Sequence, residues 1–251
     1  SRSGETSETI RAVEEFQKYY GDSIIAITCY PDSTLAKLVN WKVLTPEGQE
    51  ESIAQTRSFT NMMLAVLYLI EGGIPESVRK NLQASSQQIM DNYLSLAYEI
   101  GGDLRLERFF FLGNGALYGL ASEIMLKMKE MSLSYSEAFH FMEFRHGPMS
   151  MVNDKSLVIG YLDNHYRSHS DAVMNQMQSL GAKTLGEGFP APKENTWRPD
   201  WFFDLACDLP EIWLSPLYLP LLQALAFQHA LAKGLNPDRP LNLTAVVELD
   251  A

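Results

Sequence analysis

Cysteine is scarce in this sequence, and with it the side chains for disulfide or metal chemistry. The 251 residues include two cysteines, Cys29 and Cys207, and five histidines. Two cysteines do not form a disulfide framework, and no Cys or His spacing is typical of a metal site. We therefore predict no metal and no cofactor. Cys29 follows an apolar stretch, which predicts a buried thiol at the end of a strand.

Long apolar runs and excess positive charge are also missing. No segment has the length of a membrane span or the pattern of a signal peptide. The formal net charge is −11, from 31 acidic and 20 basic residues, whereas binding to nucleic acid or an anionic membrane needs a basic surface. We expect neither partner. A chain with so few cysteines belongs by default in a reducing compartment, so the predicted localisation is cytoplasmic.

Three common catalytic or nucleotide-binding motifs are absent as well. There is no P-loop and no Gly-x-Ser-x-Gly elbow. The turn Gly113-Asn114-Gly115 lacks the third glycine and the distant acidic residue of a dinucleotide-binding fingerprint. None of these motifs therefore assigns a function to the chain.

What the sequence does contain is an alternation of strand-like and helix-like segments. The run Ser23–Cys29 has the composition of a parallel strand buried on both faces, and Ser33 is placed to cap a short helix. The alternation predicts an α/β fold with a parallel sheet, in two related halves joined by residues 73–105. The other predicted strands are 41–44, 109–112, 156–162, 182–186 and 201–205. The other predicted helices are 34–39, 56–71, 76–99, 116–131, 135–143, 168–180 and 215–233.

The first nine residues combine hydroxyls with a glycine directly ahead of a helical pattern. Apolar residues recur at helical spacing and predict one buried helix face, formed by Ile10, Val13, Phe16 and Tyr20. Free N–H groups and partial positive charge at a helix N-terminus favour an anion such as phosphate. The same hydroxyls also fit an ordinary N-cap, which is the commoner use of such a pattern. Since the motif lies at the very start, we expect the chain to begin within a domain, just after a strand.

The predicted helix 116–131 carries Glu123, Lys127 and Glu130 on one stripe. At about 100° per residue, the three lie within roughly 60° of one another and border the apolar face. Surface ion pairs are the commoner interpretation of this spacing. The alternative is a carboxylate at the edge of a cleft, able to move a proton.

One histidine lies in a loop-like context. The segment Glu143-Phe144-Arg145-His146-Gly147-Pro148 follows a helical pattern and ends in a Gly-Pro turn. Catalytic groups concentrate on loops, and imidazole titrates near neutral pH. A solvated loop histidine remains the alternative for His146.

Three segments together resemble one family. Ser1-Arg2-Ser3-Gly4-Glu5-Thr6, the Glu123…Lys127-Met128-Lys129-Glu130 helix and the Glu143–Pro148 segment are similar to the tandem sugar-isomerase (SIS) domains. This family includes the isomerase module of glucosamine-6-phosphate synthase and stand-alone phosphosugar isomerases and deaminases. The resemblance extends from residue 1 to about residue 248. It implies two SIS domains, each a three-layer α/β/α sandwich with a mostly parallel, flavodoxin-like sheet. The first, N-terminally incomplete, covers residues 1–72 and the second residues 73–236, followed by a C-terminal tail, 237–251.

The resemblance also implies roles for individual residues. Ser1, Ser3 and Thr6 would bind the sugar phosphate, and Arg2 stands where the synthase usually has glutamine, with its backbone N–H available to the phosphate. A second loop that lines the sugar site in the family contributes Ala54 and Gln55.

For the chemistry, the resemblance assigns Glu130 as the base that moves a proton between C1 and C2. Lys127 would tune this base or stabilise charge on an enediolate. His146 would assist ring opening from a neighbouring subunit, which implies a homodimer.

Two departures from the synthase bear on the reaction. The tail Asn242–Val246 aligns with the family, but Ala245 stands where the synthase has a lysine that forms a Schiff base. In addition, the sequence holds no glutaminase domain. We therefore expect isomerisation of an amino-hexose 6-phosphate with release of ammonia, glucosamine 6-phosphate to fructose 6-phosphate being the most specific expectation. The alternatives are a synthase isomerase module, a fructosamine-6-phosphate deglycase and a noncatalytic phosphosugar-binding regulator.

Overall fold

The protein is described here from a computed structural model, which describes residues 1–189, 197–205 and 207–244. The chain divides into two compact units. The first unit is Ser1–Ile74 together with the tail from Asp238, and the second unit is Pro75–Pro237.

The first unit is a small α/β assembly around two parallel strands. Strands β1 and β2 pair in register from Ile25 opposite Trp41 to Thr28 opposite Leu44. The predicted cap at Ser33 is confirmed, because its hydroxyl accepts a hydrogen bond from Ala36 N–H at 3.3 Å. The elements in order are α1 Ser7–Tyr20, β1 Ile25–Thr28, α2 Thr34–Leu38, β2 Trp41–Leu44, a 3-10 turn Pro46–Gly48, and α3 Arg57–Glu71.

Two burial predictions for the first unit are wrong. Helix α1 has no fully buried residue, and Phe16 and Tyr20 are 39% and 67% exposed. Strand β1 was expected to be covered on both faces, yet Ile25 is exposed. The reason is that two strands offer little sheet surface. Only Val13 of the predicted α1 face packs on the small core of Ala26, Leu35 and Val39.

The second unit contains a five-stranded parallel sheet with the order β4-β3-β5-β6-β7. Numbered within the unit, this is the order 2-1-3-4-5 of flavodoxin-like folds. The strands are β3 Arg108–Leu112, β4 Tyr135–Phe139, β5 Ser156–Leu162, β6 Lys183–Gly188 and β7 Trp201–Asp204. The helices are α4 Glu76–Gly102, α5 Ala116–Ser132, α6 Phe141–Phe144, α7 Arg167–Ser179 and α8 Pro220–Ala232.

Both faces of this sheet are covered by helices, because successive side chains of a strand point to opposite faces. On one face, Phe110 and Leu112 of β3 join a core with residues of α6 and α7, including Phe144 and Met174. On the other face, the ring of Phe109 lies 4.9 Å from that of His229 on α8. The result is a three-layer arrangement, and Tyr161, in the middle strand, is fully buried.

Two predicted helices of the second unit need correction. The segment 135–143 is strand β4 followed by the single-turn helix α6, because residues 135–139 pair along their length with β3. Sheet pairing at the edge here outweighs the local helical pattern. The helix predicted over 215–233 begins at Pro220, and a 3-10 turn, Ser215–Tyr218, precedes it.

Candidate functional site

The loop Ser1–Thr6 is held in shape by its own hydroxyls. Ser1 Oγ lies 3.2 Å from Thr6 Oγ1 and accepts a hydrogen bond from Gly4 N–H at 3.2 Å. Ser3 Oγ accepts one from Glu5 N–H. Three of the predicted phosphate-binding residues, Ser1, Ser3 and Thr6, therefore lie within six residues of one another on a single compact turn.

Gly4 is required at the centre of this loop for two reasons. Its φ of +68° lies in the left-handed region, which glycine adopts without steric cost. A Cβ at this position would also lie 2.2 Å from Ser33 Oγ, at the start of α2. The loop therefore packs closely against the β1–α2 turn, and this approach excludes any side chain at position 4.

The structure separates the two uses proposed for the Ser1–Thr6 hydroxyls. Thr6 is the N-cap residue of α1, yet its side chain makes no capping hydrogen bond. The carboxylate of Glu5 is directed elsewhere, to Thr34 N–H and Oγ1 at 2.8 and 2.7 Å. These hydrogen bonds from Thr34 lower the pKa of Glu5. The ordinary N-cap interpretation is therefore wrong for Thr6, and the arrangement keeps a neutral, hydroxyl-rich turn ahead of α1.

Arg2 is buried and its guanidinium bonds to backbone far along the chain. Nη1 donates to Ser52 O at 2.7 Å and lies 3.4 Å from Ile53 O. Its own carbonyl accepts from Thr28 Oγ1 and from Cys29 N–H, at 3.0 and 3.1 Å. Arg2 thus ties the loop to the end of β1 and to the segment before Ala54.

The second predicted loop lies in the same unit. Ala54 is fully buried, so neither its backbone nor its methyl group is open to solvent. Gln55 is half-buried and its Oε1 accepts from Ser58 Oγ at 3.3 Å. These two positions lie just before helix α3, whose N-cap residue is Thr56.

Glu50 caps α3, and the sequence analysis missed this role. Its carboxylate accepts hydrogen bonds from the N–H groups of Thr56, Arg57 and Ser58 and from the hydroxyls of Thr56 and Ser58, the shortest being 2.5 Å. Burial would raise the pKa of Glu50, but the hydrogen bonds from Ser58 and Thr56 hold it below its ordinary value. The available signal was an acidic residue upstream of the hydroxyls that open a helix.

A pocket of about 480 Å³ lies beside the Ser1–Thr6 loop. Arg2, Ser3 and Glu5 form one wall, and the turn after β1 forms another. The remaining lining residues are Tyr30, Pro31, Asp32, Ser33 and Gln49. The predicted phosphate loop therefore faces a cavity large enough for a small ligand.

In the second unit, the charged stripe of α5 has a buried lysine between two partly exposed carboxylates. The Lys127 side chain is 3% exposed, and its Nζ lies 2.5 Å from Glu130 Oε2 and 3.6 Å from Glu123 Oε1. The Glu130 side chain is 20% exposed. The interpretation as surface ion pairs is therefore wrong. The Glu130 carboxylate is therefore partly exposed to solvent, whereas the Lys127 ammonium beside it is buried.

The predicted loop position of His146 is confirmed. It is exposed, in a turn closed by a hydrogen bond from His146 N–H to Glu143 O at 2.9 Å. Gly147, which follows, has a φ of +129°. His140, by contrast, lies one residue before α6 and caps it, and its ring stacks on Tyr118 at 4.1 Å.

A second pocket, of about 540 Å³, opens at the carboxyl ends of the second-unit strands. Its lining residues follow β3, β4 and β5, and the strand order reverses between β3 and β5, the position at which open α/β sheets commonly bind ligands. No residue of the predicted site lines it. The lining residues are Asn114, Gly115, His140, Phe141, Met142, Tyr166 and His169.

The predicted site residues thus fall into two groups. Ser1, Arg2, Ser3, Thr6, Ala54 and Gln55 belong to the first unit, whereas Lys127, Glu130 and His146 belong to the second. Hydrogen bonds bring Arg2 to the segment that precedes Ala54, and an ion pair joins Lys127 to Glu130. Ala245, the departure noted in the tail, lies outside the described residues.

The structure also reveals a buried carboxyl that no sequence motif marked. Glu187 on β6 is fully buried, and its two oxygens find no hydrogen-bond partner among the described residues. It stands directly opposite Tyr161 of β5 in the parallel ladder. Burial raises the pKa of Glu187 well above its ordinary value, because the charged carboxylate is disfavoured away from water.

Within residues 1–189, 197–205 and 207–244, no group of three or more His, Cys, Asp or Glu side chains is placed to hold a metal ion. None of the helices found there combines the length and the apolar character needed to cross a membrane.

Comparison with known proteins gives a family match. The profile of the family described as SIS domain matches residues 1–72 and 105–186, together more than half of the chain. The matched ranges contain the Ser1–Thr6 loop, helix α5 and the His146 turn.

Individual relatives extend over the whole chain. Glutamine–fructose-6-phosphate aminotransferase [isomerizing] of Sulfolobus acidocaldarius is 28% identical over 259 residues, covering 100% of this chain and 42% of the relative. The chain thus spans less than half the length of this curated relative. The structure of glucosamine-6-phosphate deaminase from Thermotoga maritima matches 99% of this chain and 74% of its own, with 26% identity and a TM-score of 0.75. Tagatose-6-phosphate ketose/aldose isomerase from Escherichia coli shares the fold, with a TM-score of 0.84, 21% identity and coverage of 97% and 71%.

Proposed function

The chain belongs to the SIS domain family, and from this premise we propose that it is a phosphosugar isomerase and deaminase. The proposed substrate class is an amino-hexose 6-phosphate, and the most specific candidate is glucosamine 6-phosphate, converted to fructose 6-phosphate with release of ammonia. We propose further that both units are SIS domains. In support, a helix followed by two strands that pair in parallel occurs in both units, as α1 with β1 and β2 in the first and as α7 with β6 and β7 in the second.

The observation that carries this proposal is the burial of Lys127 beside Glu130. An ion pair on the exposed face of a helix stabilises that helix by only a few tenths of a kcal/mol. Removing an ammonium and a carboxylate from water is costly, so a buried pair is poor support for stability. A functional explanation is therefore favoured: the pair keeps one carboxylate at a fixed position, partly exposed, where it can exchange a proton.

The proposed reaction begins with the open-chain aldehyde. The Glu130 carboxylate takes the proton from C2, and the C2–H electrons form a C1–C2 double bond. The electrons of the C1 carbonyl double bond move to its oxygen, which is negatively charged until it takes a proton from water. Lys127 stabilises this charge. The hydroxide that remains takes one proton from the nitrogen when the ketimine forms. Return of the proton from Glu130 to C1 gives a ketimine at C2, which water hydrolyses to the ketose and ammonia. Atoms and electrons balance without a cofactor.

The remaining roles follow from the loop geometry and the resemblance. Ser1, Ser3 and Thr6 present neutral hydroxyls, which suit a phosphate. His146 would open the sugar ring. Because His146 is exposed in its turn, its imidazole is available to a second copy of the chain, and we propose a homodimer in which it serves the neighbouring site.

The experiment is a substrate panel with ammonia detection on the wild type and Glu130→Gln. Loss of a positioned acid–base group lowers turnover by about 10²–10⁴-fold, whereas binding of the sugar phosphate should persist. Lys129→Gln is the matched control, because Lys129 is exposed on the same helix. Normal turnover in Glu130→Gln would refute the proposed mechanism.

A second candidate is the isomerase module of a glucosamine-6-phosphate synthase, favoured by the name of the curated relative. The panel separates the two, because that module would form glucosamine 6-phosphate when ammonia and fructose 6-phosphate are supplied. Including fructosamine 6-phosphate tests a deglycase in the same assay. Binding of a sugar phosphate without any turnover would instead indicate a noncatalytic regulator.

A further inference from the structure

Arg2 differs from the other residues of the Ser1–Thr6 loop in where its side chain is engaged. The residue is 7% exposed, and Nη1 donates to Ser52 O at 2.7 Å. Ile53 O lies 3.4 Å from the same nitrogen. A guanidinium presents several donors on a rigid plane, so one side chain bridges two successive carbonyls fifty residues away.

The backbone of Arg2 is fixed independently of its side chain. Its carbonyl accepts hydrogen bonds from Thr28 Oγ1 at 3.0 Å and from Cys29 N–H at 3.1 Å. The loop is therefore anchored to the end of β1 at this residue. Because the Arg2 backbone is anchored to β1, its side chain holds residues 52–53 at a defined position relative to that strand.

The segment that receives the guanidinium is held on its other side too. Ile53 N–H donates to Asp238 O at 3.0 Å, where the tail begins. Ala54, which follows, is fully buried. Arg2 on one side and Asp238 on the other thus set the position of Ala54 and Gln55, the two residues that the family resemblance assigns to the sugar site.

We propose that Arg2 is a positioning residue that fixes the sugar-contact segment Ala54–Gln55 relative to the phosphate loop. This inference rests on the proposed function, since it concerns a ligand that has both a phosphate and a sugar. The side chain itself is not the phosphate ligand. Its contribution is to hold the two parts of the site at the separation that a hexose 6-phosphate needs.

The test compares two probes on the full chain: inorganic phosphate, which needs only the loop, and glucosamine 6-phosphate, which needs loop and segment. Calorimetry gives both dissociation constants for the wild type, Arg2→Met and Arg2→Lys. For Arg2→Met we expect the dissociation constant of the sugar phosphate to rise at least about tenfold, while that of inorganic phosphate changes less than about threefold. Arg2→Lys, with one ammonium for two carbonyls, should be intermediate for the sugar phosphate.

Lys42→Met is the matched control. Lys42 is a cation of the same unit whose Nζ also donates to a carbonyl, Ala36 O at 2.7 Å, but it does not line the pocket beside the loop. It should leave both constants unchanged. Circular dichroism checks the fold, and Arg2→Lys carries the test if Arg2→Met does not fold.

The possible results are distinct. Equal weakening of both probes in Arg2→Met would make Arg2 a direct anion ligand and overturn the inference, as would no change in either. A wild-type chain that binds neither probe would overturn the proposed function itself, and the inference with it.

Discussion

Each of the two units has a turn that leads into a helix, and the two turns differ in the charge that they place at the helix N-terminus. One turn, Ser1–Thr6, leads into α1, and the other, Asp163–Tyr166, leads into α7. In each, the first residue accepts a hydrogen bond from the N–H three positions later. In the first unit this is Ser1 Oγ from Gly4 N–H at 3.2 Å, and in the second it is Asp163 Oδ1 from Tyr166 N–H at 2.7 Å.

The difference lies in the charge of the acceptor. The second-unit turn carries a carboxylate at the start of a helix, where partial positive charge favours it. The first-unit turn has neutral hydroxyls at the equivalent place, and its one carboxylate, Glu5, bonds to Thr34 instead. A turn whose carboxylate is engaged by another element leaves its own helix terminus available to a ligand. The comparison therefore favours the first turn, and not the second, as a phosphate site.

The largest effect on the first turn is expected for Gly4→Ala. The added methyl group would meet Ser33 Oγ at 2.2 Å in a left-handed conformation. We expect the free energy of unfolding of the first unit to fall by about 2–4 kcal/mol, with at least tenfold weaker binding of inorganic phosphate.

Gly21→Ala tests the effect of backbone strain at a positive φ without the close contact that an added methyl group would make at Gly4. Gly21 has a similar φ, +63°, but a Cβ there meets nothing within 4 Å. Because its ψ of −152° is essentially restricted to glycine at this φ, the substitution should cost about 1–3 kcal/mol and leave phosphate affinity unchanged, as measured by calorimetry and thermal melting. Equal losses in both variants would mean that the packing of Gly4 against α2 is unimportant.

A second contrast between the units concerns two carboxyl groups. Glu50 in the first unit is surrounded by donors, and its pKa is lowered despite burial. Glu187 in the second unit is buried without a partner among the described residues, and its pKa is raised. The two groups therefore give stability opposite dependences on pH.

For Glu187 the stability of the second unit should decrease as pH rises. Above the unfolded pKa of about 4.5, the folded state holds a proton that the unfolded state has released, so stability falls by about 1.4 kcal/mol per pH unit until the folded group ionises. In Glu187→Gln this contribution disappears. Hydrogen exchange of β5 and β6 amides between pH 5 and 7 measures it, and an unchanged slope in the variant would mean that the group is ionised in the fold.

For Glu50 the sign is reversed. Its lowered folded pKa contributes stability above the unfolded value of about 4.5, and this contribution is lost as pH falls through the folded pKa. Glu50→Gln should cost about 1–3 kcal/mol at pH 7, because a charged acceptor of several hydrogen bonds is removed. It should also reduce the acid sensitivity of the first unit.

Glu51→Gln is the neighbouring control, since Glu51 is exposed. Hydrogen exchange of α3 amides at pH 7 and pH 4 compares the two variants. A similar loss in both would show that charge density, rather than capping of α3, explains the effect.

Strong local signals in the sequence predicted much of this structure. The buried strand β5, the helix α5 and the Ser33 cap were predicted because each depends on residues a few positions apart. Strand β4 was missed because its formation depends on β3, which lies more than twenty residues earlier. Long-range pairing of this kind leaves no local pattern.

The candidate site divides in the same way. The spacing of Glu123, Lys127 and Glu130 predicted that they share a stripe, but only packing shows that Lys127 is buried. The contact of Arg2 with Ser52 joins residues fifty positions apart, and a single sequence contains no signal for it. The resemblance to a family identified the positions, whereas the partners of each side chain came from the fold.

The smallest effect is expected for a substitution in the second-unit turn. Asp163→Ser gives the second-unit turn the neutral acceptor that Ser1 provides in the first. Replacing a carboxylate by a hydroxyl at this turn should cost about 0.5–1 kcal/mol, and phosphate titration of the chain should keep its affinity and stoichiometry. The turn would still have Tyr166, with its large side chain, where the first turn has Gly4, so a neutral acceptor alone does not open the helix terminus to a ligand. A second phosphate bound per chain would show instead that the Asp163 carboxylate was the one barrier, and that the two turns differ in charge but not in shape.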